Sequence, residues 1–223
     1  MASSPRARAR DRELDVAGIG SMVVDRVHRA ARLLGDDAKD VLRALPSGAT
    51  VERHVGGVVL NQLGWAAALG VRCGIFGRQG DDDDGRFLRA AMDARGIARD
   101  LWLTSEPTSL AEIFVDDAGA RAIYMASGAT AATTAEQVRE RHAPFVARAA
   151  RVLTEVSQLP LAAALEALRV GRDAGCETWV DFDVPPDVAC PSLGTRAELD
   201  AVLAQADVLK PAKRAACGLL GVE

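Results

Sequence analysis

Short apolar runs recur along this chain at intervals long enough to hold a helix, and that alternation restricts the fold more than any other feature. Residues 14–20 (LDVAGIG) and 71–77 (VRCGIFG) have the length of buried strands, and 152–156, 178–182 and 207–209 repeat the pattern. Helical periodicity lies between them. Residues 57–69 are apolar nearly all round, which predicts a helix buried on several sides. Residues 84–95 set Phe87, Leu88, Ala91 and Met92 on one face and Arg86, Arg89, Asp93 and Arg95 on the other, with Gly96 placed to end the helix. Thr133 with Glu136, and Thr195 with Glu198, have capping-box spacing, and Leu161, Leu165 and Leu168 form a stripe. The rhythm specifies an α/β fold with a mainly parallel sheet and helices on both faces. One interruption stands out: 110–115 and 121–125 flank Asp116-Asp117-Ala118-Gly119 and read as a hairpin.

A chain of 223 residues, 49% of them hydrophobic, can bury one substantial core and has no need of two full domains. Its net charge of -4 offers no field for nucleic acid or an anionic membrane. Arg6, Arg8, Arg10 and Arg12 read as part of a disordered tail over residues 1–13. Cys73, Cys176, Cys190 and Cys217 are scattered, so neither a zinc site nor a disulfide framework is indicated, and no run approaches the roughly 18 apolar residues of a membrane span. A soluble, cytoplasmic protein with small-molecule partners is expected.

In open α/β sheets ligands bind beyond the carboxyl ends of the strands. Gly18-Ile19-Gly20 offers G-x-G after a strand, but Val23 stands where a dinucleotide fingerprint needs its third glycine, which disfavours a Rossmann-type NAD(P) site. Asp25 follows, either a solvated loop acid or an acceptor for ligand hydroxyls. Gly56 and Gly57 lead into the apolar helix with Asn61 one turn on. Paired glycines let a ligand approach the backbone, a helix start presents unpaired N–H groups, and Asn61 carries a donor and an acceptor, although a tight turn and a core asparagine would use the same residues. Four successive aspartates, 81–84, cannot all point at one cation and read as a helix-capping acidic loop.

Taken in order, these segments are more specific than any alone. Asp25, then G-G-x-x-x-N before a helix, then Leu69-Gly70, then G-x-x-G-D-D-x-x-G over 77–85 resembles the first half of the ribokinase-like (PfkB) carbohydrate kinases. The resemblance continues through 108–125, through 126–133 with Thr130 in place of an asparagine, through Asp181-Phe182-Asp183, and through ADVLKP over 206–211. It implies a ribokinase-like three-layer fold over residues 14–223, incomplete at the C-terminus, with a small β lid built from segments near 22–55 and 108–126. The long stretch 28–50 leaves part of that lid undefined. It also implies ATP-dependent phosphorylation of a sugar or nucleoside hydroxyl with magnesium, Asp25, Gly56, Gly57 and Asn61 contacting the substrate. Homo-oligomer assembly is left open.

The catalytic half is missing from the same comparison. The family's base and anion hole sit in a G-A-G-D helix start that does not occur here, so no catalytic residue is assigned. Its N-x-x-E motif, which helps organise magnesium, falls on Ala212 and Ala215, so no metal ligand is assigned and ATP binding by this chain is doubtful. Either the chain is a kinase cut short, or it is a degenerate, non-catalytic sugar-binding protein. A truncated sheet is expected to expose a strand edge, an association hazard.

Overall fold

The computed structural model describes residues 12–222, so most of the arginine-bearing tail lies outside the described residues. Six parallel strands form the main sheet: β1 (Val16–Gly18), β4 (Cys73–Gly80), β5 (Ala98–Thr104), β8 (Arg151–Val156), β9 (Glu177–Phe182) and β10 (Val208–Pro211), in the order β10-β9-β8-β1-β4-β5. Helices α1 (Val58–Ala68) and α2 (Asp83–Asp93) cover one face. The short α3 (Gly128–Ala131) contacts β4 and the strand 109–115, and on the other face lie α4 (Ala135–Gln137), a π-helical turn (Val138–His142), α5 (Ala143–Val146), α6 (Leu161–Asp173), α7 (Pro186–Leu193), α8 (Arg196–Ala204) and α9 (Lys213–Leu220). This is the three-layer α/β arrangement expected from the rhythm of apolar runs. Strand alternation divides the core: Ala17, Phe76, Val152, Val156, Val180 and Phe182 face α6, while Val16, Cys73, Ile75 and Leu153 face α1 and α2.

A second sheet of four strands stands apart, in the order β3-β2-β6-β7: β2 (Val23–Arg29), β3 (Glu52–Gly56), β6 (Ser109–Val115) and β7 (Arg121–Ala126). The expected hairpin is β6–β7, turning at Gly119 with φ 83°. β2 pairs antiparallel with β3 and parallel with β6.

Several expectations shift. Helix α1 is buried along one face only, through Val59, Leu60 and Leu63, while Trp65 and Leu69 are 75% and 84% exposed. An apolar composition does not say how many neighbours a helix has. The first capping box belongs to Thr134 and Gln137, not to Thr133 and Glu136. Both pairs have the right spacing, but Thr134 has the extended backbone (φ -109°, ψ 155°) that a cap requires. The Thr195–Glu198 box forms as read. Asp82 caps α2, accepting from the Gly85 N–H at 2.7 Å, and Thr108 donates to it twice more. All four residues of edge strand β10 are exposed. No helix among the described residues is long and apolar enough to cross a membrane.

His142 is buried against Phe76 with its Nδ1 2.7 Å from the Asp100 carboxylate. Burial lowers its pKa from the ordinary histidine value, and Asp100 only partly opposes that. A native pKa below the unfolded one means the folded state binds fewer protons. The stability contribution is therefore complete above about pH 6.5 and is lost as the pH falls. Urea unfolding at pH 8 and pH 5.5 should show the parent losing more stability on acidification than His142→Gln. Equal losses in the two proteins would contradict this.

Candidate functional site

The smaller sheet joins the main one at the carboxyl ends of the main strands, where β1 runs through residues 19–22 into β2. In the smaller sheet, register places Asp25 between His54 of β3 and Ala111 of β6, with Met125 of β7 next in the row. Met125 meets the Gln158 side chain from the loop after β8, so this face turns toward the body. The opposite face carries Val24 into the core with α1 and α2, and Arg26 and Arg53 both pair with Asp84.

Asp25 is therefore a strand residue, not the loop acid its sequence context allowed. It is half-buried and pressed over Gly56, where any Cβ would collide with the carboxylate. Among the described residues no group donates a hydrogen bond to it. Burial raises its pKa above the usual aspartate value, and the nearby His54 pulls the other way. A carboxylate held this way is short of donors, and sugar hydroxyls are donors.

Gly57 follows with φ 99° and ψ 134°, and its Cα lies so close to the Ser21 carbonyl that a side chain would strike the backbone. Helix α1 begins here, but its first amides are not free, as the sequence had suggested. Val58 N–H donates to Ser21 Oγ at 3.2 Å, and Val59 N–H donates to Glu155 Oε2 at 3.2 Å. Glu155, near the end of β8, also accepts from the Ser21 N–H (2.9 Å), the Ser21 hydroxyl (3.1 Å) and the Gln158 N–H (3.4 Å). It is fully buried, which pushes its pKa up to about 7 although every one of these donors favours the charged form.

Gly18 and Gly20 serve this packing and not a dinucleotide. A Cβ at Gly18 would come within 2.6 Å of Val59, and one at Gly20 within 2.6 Å of Glu155 Oε2. The chain then enters β2, whereas a dinucleotide fingerprint opens a helix.

Asn61 lies one turn into α1, its N–H donating to the Gly57 carbonyl at 2.9 Å. It is exposed on α1, lining a groove of about 310 Å³ with His54, Val55, Trp65 and Arg95. Further along the row of strand ends, Glu155, Asp181 and Lys210 are neighbours in register on β8, β9 and β10. Lys210 donates to Asp181 at 2.8 Å and Gln62 of α1 reaches the same carboxylate, whose other oxygen is buried without a partner. Asp183 accepts from Ser157.

A magnesium–nucleotide site finds little to fit. Ala212 caps α9 with no side-chain hydrogen bond, Ala215 is buried, and no cluster of three metal-ligating side chains occurs among the described residues. Sequence reasoning missed Ser21 and Glu155. The available signal was a lone carboxylate near the end of an otherwise uncharged strand interior, VLTEV.

The chain is 28% identical over 174 residues to a bifunctional ribokinase/ribose-5-phosphate isomerase A of Fructilactobacillus sanfranciscensis, covering 77% of this chain and 30% of that one. Its fold is similar to that of ribokinase from Giardia lamblia (TM-score 0.77, 19% identity, 94% of this chain, 61% of that one). It is also similar to Arabidopsis thaliana ribokinase complexed with ribose and ATP (TM-score 0.74, 21% identity, 93% and 63%). The chain thus spans less than two thirds of the length of each of these three. The sequence profile of the pfkB family carbohydrate kinases matches residues 14–223, nearly the whole chain. That match shows that the chain belongs to the pfkB carbohydrate kinase family.

Proposed function

We propose that residues 12–222 form the substrate-binding half of a pfkB-type kinase acting on a sugar or nucleoside hydroxyl. The observation that carries this reading is Asp25: a half-buried carboxylate against Gly56, on the face of the smaller sheet whose Met125 meets Gln158, with no protein donor among the described residues. Hydroxyls of the substrate supply the missing donors, each charge-assisted bond contributing about 1.5–3 kcal/mol. Gly56 and Gly57 let the polyol reach the backbone, and Asn61 reads a substituent extending over the outside of α1. The four-stranded lid shields the bound polyol from water, which strengthens those bonds. When bound, ATP with magnesium supplies the phosphoryl group, but the alanines at 212 and 215 provide nothing to hold the metal. Four unpaired cysteines agree with a cytoplasmic setting.

A second reading, a non-catalytic sugar-binding protein of the same ancestry, is favoured by those two alanines. ATP turnover by this chain above background would exclude it.

Ribose, fructose and adenosine should be compared as ligands in thermal unfolding. At about one hundred times its Kd, a true ligand adds roughly 2.7 kcal/mol, which raises Tm by about 5–10 °C for a chain of this size. Asp25→Ala should abolish the rise. The reading fails if no polyol shifts the parent, or if the variant responds as the parent does.

A further inference from the structure

Helix α1 carries the glycine turn at its start, yet its apolar face alone would let it slide or roll on the sheet. Val59, Leu60 and Leu63 make a smooth contact with no directional bond. Direction comes from polar pins to two carboxylates buried on adjacent strands, Val59 N–H to Glu155 and Gln62 to Asp181. Glu155 does more than hold the helix. Its two oxygens also take the backbone N–H and the hydroxyl of Ser21, and that hydroxyl in turn accepts from Val58 N–H. Ser21 packs its carbonyl against Gly57 and leads, four residues later, to Asp25. One side chain therefore joins the segment that leads to Asp25 and the segment that begins at the glycine turn.

We propose that Glu155 is a positioning residue that sets the spacing between Asp25 and the Gly56–Gly57 turn, and so determines affinity for the sugar without touching it. This rests on the substrate-binding reading above. Glu155 is fully buried and Gly20 lacks a side chain to make room for it. A carboxylate is the required group, because both oxygens receive donors and an amide would turn its own N–H₂ toward one set of them. Protonation has the same consequence: an O–H on either oxygen displaces a donor. The ionisable group facing Glu155 from β9 is Asp181, itself tied to Lys210 of β10, whereas residues 19–22 and 57–60 contribute none.

The test uses Glu155→Gln, Glu155→Ala and Glu155→Asp in the full chain, with ribose and adenosine as probes in calorimetric titrations from pH 6 to pH 8. Glu155→Gln should bind the probe about tenfold more weakly than the parent at pH 8. The parent's affinity should fall toward pH 6, and the part of that fall due to Glu155 should be missing in the glutamine variant. Glu155→Asp should recover part of the affinity, and Glu155→Ala should lose more. Amide hydrogen exchange gives a readout independent of any sugar. Ser21, Val58 and Val59 should exchange at least about tenfold faster in Glu155→Gln, while the amides of α6 keep their protection. If the parent binds neither probe, the substrate-binding reading falls and exchange alone decides this one. A glutamine variant with parental affinity and pH profile, or with parental exchange at those three amides, overturns it.

Discussion

Replacing Gly57 with alanine should lower the unfolding midpoint by about 6–20 °C. Two costs add. A residue with a Cβ at φ 99° and ψ 134° occupies a backbone region that only glycine adopts readily, at about 1–3 kcal/mol. The new methyl also meets the carbonyl of Ser21, a residue whose N–H and hydroxyl are held by Glu155, so relief requires moving the loop or the helix start. Together about 3–5 kcal/mol is at stake, and each kcal/mol moves Tm by about 2–4 °C in a chain this long. Gly56→Ala is the informative control. Its Cβ meets the Asp25 side chain, which can swing away, so stability should fall by only about 1 kcal/mol while sugar binding is lost. Thermal and urea unfolding with and without ribose separate the two. A Gly57→Ala protein as stable as the parent would mean that the turn is not built as described.

Restoring the family's N-x-x-E residues should have opposite effects at its two ends. Ala212 is the N-cap of α9, with φ -67°, ψ 153° and no side-chain acceptor, so Ala212→Asn supplies a missing cap and should stabilise by about 0.5–1 kcal/mol. Ala215 is fully buried in the cluster beneath α6 to α8. A glutamate there must bury its carboxylate or push α9 off the sheet, which should cost about 3–5 kcal/mol in urea unfolding. The two alanines are thus unequal. One is an unfilled cap, and the other has been absorbed into the packing of this chain. Parental stability in Ala215→Glu would show that α9 is not docked on this core.

The layers of the fold were legible because they follow from local periodicity. Apolar runs and helical stripes located most of the main strands and the long helices, and the hairpin was marked by its acidic, glycine-ended turn. Strands β2 and β5 escaped notice as strands. VVDRVHR and ARDLWLT mix charges into the run, since β2 is a partly exposed strand of the smaller sheet and β5 is an edge strand with partly exposed faces. The helix over 186–193 was hidden by its prolines. Asp25, Gly56 and Gly57 were singled out and lie together, and Asn61 is exposed on α1 in a groove that it shares with His54. Glu155 could not be placed by spacing, because its partners are 134 and 96 residues away.

What the sequence by itself determined is the α/β class, the family resemblance and the identity of a glycine turn beside an acid. Those follow from the order of short-range patterns, in which each residue constrains only its neighbours. The tertiary structure decided whether the turn is open or closed, which acid is starved of donors, and which is saturated with them. Hydrogen bonds and burial are settled by whatever comes within about 3 Å in space. Around the glycine turn the groups that do so come from β2, α1 and β8, segments that no local reading of the chain brings together.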